Sequence, residues 1–233
     1  WVTISIKILK TNIFEIKRDG SINIENIEPI KLIGLSLGDA TSIIKSKIAA
    51  AYVGTEAYIT LSNLRDINVL VSGNVFNPGI YTVSGNSNLL HVLGIAGGIN
   101  EYGSYREINL IRDQEVIETL DMYDVLITGA YKSSVSLRSG DIIFVKPLKK
   151  LVSIDGAVKM PAKYELLDDQ FLSDIVIYSN GISKHADLNN IFLERILDGK
   201  IKTIPIRNIN QFDNIAANDG DSIYIRKHLF KSV

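Results

Sequence analysis

The sequence predicts an α+β fold, and three observations predict it. Residues 71–98, VSGNVFNPGIYTVSGNSNLLHVLGIAGG, run strand, turn, strand, helix and stop, with each boundary marked by its own chemistry. The same order returns 83 residues downstream. Ahead of both, residues 1–66 alternate apolar and polar positions in the strand manner around a single helix with a cap signal.

Taken in order, WVTISIKIL at 1–9 alternates as a strand, and IFEIKRDGSINIE at 13–25 reads as two strands around Asp19-Gly20, a tight hairpin signal. A short strand follows at Ile30–Ile33. Ser36 stands three residues before Asp39 and ahead of Ala40, Ile43, Ile44, Ile48 and Ala51, which predicts a capped helix ending near Gly54. A strand at Ala57–Leu61 and a hinge at Asn63–Asp66 lead into the repeated unit.

In that unit the strand carrying Val69 and Val71 ends at Gly73, where a residue without Cβ is needed. Asn77-Pro78-Gly79 is a turn tripeptide, Pro fixing φ and Gly79 tolerating positive φ. A second strand spans Ile80–Val83. Leu89, Leu90, Val92, Leu93 and Ala96 then give a helical apolar face, with Ser87 placed as its cap and Gly97-Gly98 placed to close it. REINLIR and QEVIETLD are further strands, Met122–Ile127 a short helix, and Gly140-Asp141 turns into a closing strand, IIFVK. Pro147–Lys150 links to the second copy.

Six residues match at one offset: Gly73 with Gly156, Pro78 with Pro161, Tyr81 with Tyr164, Leu89 with Leu172, Gly98 with Gly181 and Arg112 with Arg195, each 83 apart. Gly140-Asp141 answers Gly220-Asp221 at a difference of 80. Two tandem modules are therefore expected, at 67–148 and 151–228. The second is the more degenerate, Asn77, Gly79 and Gly97 giving way to Met160, Ala162 and Asn180. Strand-rich modules with one main helix each suit a β-grasp-like arrangement.

Composition narrows the function. A chain of 233 residues, 46% hydrophobic and 22% charged, is ordinary globular material with room for two or three small cores. Twenty-five basic against 26 acidic side chains leave no electrostatic footprint for nucleic acid. Without cysteine neither disulfides nor thiolate chemistry are available. No apolar run approaches the roughly 20 residues a bilayer helix needs. Trp1 stands in the middle of a strand pattern, so the natural start, with any signal peptide or lipid-bearing Cys, is expected to lie upstream.

Catalytic signals are weaker than their structural counterparts. Gly34-Leu35-Ser36-Leu37-Gly38 matches the G-x-S-x-G nucleophile elbow, yet Ser36 with Asp39 explains itself as a helix cap, and a triad would have to draw on His91, His185 or His228 in separate modules. Gly97-Gly98 lacks the Gly-Lys-Ser/Thr of a phosphate loop and is most simply a helix C-cap. The three histidines have no helical carboxylate or histidine partner, so no metal site is expected. Asp19, Asp141 and Asp221 are turn residues beside glycine. No catalytic residue and no cofactor are assigned.

The export-type pattern RDGSINIENIEPIKLIGLSLGDA, followed by VSGNVFNPGIY with AGGI behind it, resembles the outer-membrane polysaccharide export proteins of the Wza-like type. In those proteins an export domain precedes soluble-ligand-binding β-grasp (SLBB) domains. The resemblance implies an export domain at 1–66, incomplete at its start, and SLBB domains at 67–148 and 151–228. It further implies a periplasmic, outer-membrane-associated component of a Gram-negative capsular or exopolysaccharide conduit. Such a component forms a homo-oligomeric ring and works with an inner-membrane copolymerase and tyrosine-kinase-type partner; it reaches the outer membrane through segments absent from this sequence and catalyses no reaction. The alternative is a small-molecule- or carbohydrate-binding β-grasp module with no transport role. Glu101-Tyr102-Gly103-Ser104-Tyr105-Arg106 is expected to be exposed. Two readings of Tyr102, Tyr105 and Arg106 stand: a surface on which a sugar ring stacks, or contacts between modules or subunits. Gly73, Pro78, Gly79, Gly97, Gly98, Gly156, Pro161 and Gly181 are the structural motif.

Overall fold

The computed structural model describes residues 2–8, 10–131 and 135–228. Trp1 and Leu9, the outer positions of the first expected strand, lie outside the described residues. The chain divides into two compact units, one of Trp1–Val69, Ile80–Val92 and Ser136–Asp141, the other of Leu70–Gly79, Leu93–Val135 and Ile142–Val233.

In the first unit β1 (Val2–Ile8) is central to a three-stranded sheet, paired antiparallel with β2 (Lys10–Ile16) on one side and β5 (Tyr58–Asn63) on the other. The Asp19-Gly20 signal makes a turn, with Gly20 at φ +75 and its N–H donating to the Lys17 carbonyl. It does not make the expected hairpin. The strand before it pairs with β1, whereas β3 (Ser21–Ile22) pairs with β4 (Ile30–Lys31) in a separate two-stranded ladder. A local turn sets chain reversal; which edge each arm joins is decided by the partners available.

Helix α1 (Leu37–Ala51) starts where the cap signal placed it: Ser36 Oγ accepts the Asp39 N–H at 3.2 Å and donates to Asp39 Oδ2 at 2.7 Å. The hydroxyl is thus engaged in capping. Ala40, Ile44 and Ile48, at helical spacing, pack with Ile22, Ile24, Ile30, Leu32 and Ala57 into one buried cluster.

The remaining strands form two five-stranded mixed sheets with one strand order. The first is β7-β6-β10-β8-β9, from β6 (Asp66–Gly73), β7 (Gly79–Ser84), β8 (Gly103–Arg112), β9 (Glu115–Leu120) and β10 (Ile142–Pro147). The second is β12-β11-β15-β13-β14, from β11 (Leu151–Gly156), β12 (Ala162–Glu165), β13 (Ala186–Leu197), β14 (Lys200–Ile206) and β15 (Ser222–Lys227). In each, the opening strand runs parallel to the closing one. The fold is α+β, as the sequence predicted.

Helix α2 (Leu89–Ile95) is capped by Asn88, whose Oδ1 accepts the His91 N–H at 2.8 Å, and not by Ser87. Ser87 is buried, with Oγ 3.1 Å from His91 Nδ1. Both residues are good caps; the helix begins at Leu89, where the apolar face begins, and its cap lies one residue later than expected. Gly97 and Gly98 follow at φ +85 and +84, and the Gly98 N–H donates to the Leu93 carbonyl. Helix α3 (Leu172–Tyr178) has Asp174 Oδ2 accepting the Phe171 N–H at 2.8 Å. The expected helix at Met122–Ile127 is a π-helical turn over Asp124–Thr128. Around β11–β15, Val152, Ile154, Leu172, Ile175, Ile191, Leu193, Phe212, Ile223 and Ile225 make a buried core.

Candidate functional site

The second unit contains one junction where the end of the first sheet meets β12 and α3, and the sequence-flagged residues around 101–106 lie on it. β8 begins at Gly103, so only part of that stretch is loop. A Cβ at Gly103 would fall 2.4 Å from Ile99 Cγ2 and 2.5 Å from the Asn74 carbonyl oxygen, which leaves room for glycine alone. From there strand alternation separates the expected trio. Tyr105 faces outward, Tyr102 is exposed in the loop ahead, and Arg106 turns inward, 7% exposed. The expectation of one exposed segment carrying all three residues does not hold for Arg106.

Arg106 is instead the hub of the junction. Its Nε donates to Asp121 Oδ2 at 2.8 Å, and its Nη2 lies 2.7 Å from the same oxygen. Its Nη1 donates to Gln170 Oε1 at 2.8 Å and to the Tyr178 hydroxyl at 2.9 Å. The guanidinium carbon also sits 4.6 Å from the Tyr123 ring centre and 5.1 Å from that of Tyr178, and those rings meet edge to face at 5.0 Å. Burial is the largest single influence and works against the charge, but the hydrogen bond to Asp121, the Asp121 charge and the contacts with Tyr178 together outweigh it and raise the guanidinium above its ordinary range. A planar fork reaching three partners while stacked between two rings is a task for Arg and not Lys.

Glu165 closes the other side. The Tyr105 N–H donates to its Oε2 at 2.7 Å, and its own N–H donates to the Tyr123 hydroxyl at 2.7 Å. Burial pushes the Glu165 carboxyl above the usual range, against hydrogen bonds from Ser104 and the Tyr105 backbone that pull it down. Burial likewise pushes the Tyr123 hydroxyl up to about 12. Lys146 and Lys149 meet Glu107 at 2.7 and 3.1 Å, and the Lys146 bond holds that carboxyl low.

Beside this network opens a cleft of about 840 Å³, lined by the rings of Tyr105, Tyr123, Tyr164 and Tyr178 and by Phe76, Met160 and Ile177. Tyr102 does not line it. The rings are held from behind: Tyr164 donates to the Met160 carbonyl, and Tyr178 accepts from Arg106 and Gln170. No group of three or more potential metal ligands occurs among the described residues. Sequence reading missed Tyr123, Glu165, Gln170 and Tyr178. The one signal for them was Glu165, a carboxylate in the otherwise apolar YELL.

The glycine motif lies apart from the cleft's polar network. Gly73 (φ +83) and Gly156 (φ +87) end β6 and β11, where a Cβ would meet the Val145 and Ile225 carbonyl oxygens at 2.2 and 2.1 Å. Pro78 precedes β7, which Gly79 opens in extended backbone, so the positive φ expected at Gly79 does not occur there; Gly73 is the left-handed residue near that turn. Pro161 likewise precedes β12, and Gly181, at φ +89, follows α3 as Gly98 follows α2.

Residues 68–145 match the family model described as SLBB domain. That segment is an SLBB domain. Two Escherichia coli proteins, both described as polysialic acid transport protein KpsD, are each 33% identical to this chain over 141 residues. The match covers 60% of this chain and 25% of each relative, so the chain spans about a quarter of the length of the curated relatives it matches. The SLBB domain and the similarity to KpsD together uphold the resemblance to polysaccharide export proteins. Arg106 and Asp121 lie inside the SLBB domain, whereas Gln170 and Tyr178 lie beyond it.

Proposed function

We propose that this chain is part of a polysaccharide export component, a non-enzymatic member of an envelope conduit for a capsular or extracellular polymer. The observation that carries the reading is the SLBB domain within a chain similar to a polysaccharide transport protein. The architecture suits it. The polar groups at the junction are tied to one another, as in a scaffold, and the serine of the G-x-S-x-G match is engaged in capping α1.

In this reading residues 1–66 are the end of an export domain, 67–148 and 151–228 are tandem SLBB domains, and the second has diverged further from the common pattern. The chain works as a ring of identical copies in the periplasm at the outer membrane, with an inner-membrane copolymerase as partner. Hydrogen bonds repeat between the two sheets at the offset of 83: Phe76 to Gly98 and Lys159 to Gly181, Asn77 to Ala96 and Met160 to Ser179. This recurrence supports the tandem reading. Deleting the gene in its host and restoring it on a plasmid tests the function, with surface polymer followed by a lectin or antibody. Surface polymer falls on deletion and returns on complementation; unchanged staining would reject the role.

A small-molecule- or carbohydrate-binding β-grasp module without a transport role is the second reading, and the aromatic cleft is the observation that favours it. Native mass spectrometry of protein from its own host would then show a retained ligand.

A further inference from the structure

We infer that the cleft beside Arg106 is a saccharide site, holding a short segment of the sugar polymer by stacking on Tyr105 and Tyr164. This inference rests on the export reading for which polymer is available, and on the cleft itself for the rest. At about 840 Å³ the space is within the range that holds a ligand of a few rings. Its wall combines tyrosine faces and exposed apolar side chains, Met160 and Ile177, with the carboxyl groups of Glu101 and Glu165 and the ammonium of Lys163. A pyranose offers what this wall complements: an apolar C–H face for the rings and hydroxyls at the edge for the polar groups. With two carboxyl groups against one ammonium, the wall does not select a phosphate or a nucleotide.

Preorganisation strengthens the argument. Tyr164 is fixed through its hydroxyl to the Met160 carbonyl, and the rings of Tyr123 and Tyr178 are fixed by Arg106 and by each other. Rings already held in place lose little freedom when a ligand arrives. Tyr105 is anchored through its backbone N–H on Glu165, with its side chain 40% exposed.

The test is titration of the 233-residue chain, followed by saturation-transfer NMR and calorimetry, with size-fractionated oligosaccharides from partial hydrolysis of the host's extracellular polymer. Saturable binding is expected. Tyr105→Ala should weaken it about tenfold, the scale of one lost aromatic stack, and Ile177→Trp, which fills the cleft, should abolish it. Tyr102→Ala, outside the cleft, should leave it unchanged. Both cleft substitutions are at partly exposed positions, and thermal melting checks that each variant is folded. Absence of saturable binding overturns the proposal, as does binding that survives both cleft substitutions. Self-association in sedimentation that Ile177→Trp abolishes, with no sugar bound, would assign the cleft to a second copy instead. Because binding is read on purified protein, a negative result leaves the export role standing. Normal export after gene deletion would remove that role and leave the binding result intact.

Discussion

Arg106 shows how much one residue can settle. Sequence placed it in a sugar-binding loop or at a contact between modules or subunits, and the structure makes it a buried tie from the SLBB domain to Gln170 and Tyr178. Arg106→Lys keeps the charge but loses the fork and the stacking, and is expected to cost about 2 kcal/mol in urea unfolding; Arg106→Ala, which strands Asp121, about 3–4 kcal/mol. Equal stability of all three proteins would show that the network is idle. Gly73 and Gly156 are a sharper case, since each combines a left-handed φ with a carbonyl oxygen near 2 Å from any added Cβ. Gly156→Ala should cost at least about 2 kcal/mol, read as a lower denaturation midpoint. Their need for glycine was legible because the strand pattern stopped there. Arg106 was not legible, since its partners are 15 to 72 residues away.

At the scale of elements, periodicity and caps located the strands and helices, and the misplacements have local causes. Ser87 and Asn88 compete for one helix start, and the side chain aimed at the His91 N–H wins. Asn88→Ala should therefore cost about 1 kcal/mol through the lost cap, measured by thermal melting against the wild type. The Asp19-Gly20 turn was legible, but its strand partners were not, because turn chemistry sets direction and leaves pairing to β1 and β4. The replacement of Asn77 and Gly97 in the proposed second module also has a physical reason. A Cβ at Gly97 would stand 2.8 Å from Asn77 Nδ2, whose amide holds the Ala96 carbonyl, and both members of that contact change together, to Met160 and Asn180. Asn180 keeps a left-handed backbone at φ +59, and Gly181 keeps the glycine role.

For the whole molecule, tyrosine ionisation gives a stability signature of the junction. The Tyr123 hydroxyl, pushed up to about 12 by burial, stays neutral in the folded chain after an unfolded one would ionise near 10. Its contribution is therefore complete below about pH 10 and is lost as pH rises from about 10 to 12. Urea midpoints should fall across that window, and Tyr123→Phe should fall less steeply; parallel slopes would place Tyr123 outside the cooperative fold. The export claim is a statement about polymer, and a chase with labelled sugar in the deletion strain tests it most directly. Label should enter polymer at the normal rate and then accumulate within the envelope instead of outside the cell. Label leaving on schedule, or never entering polymer, would contradict an export role.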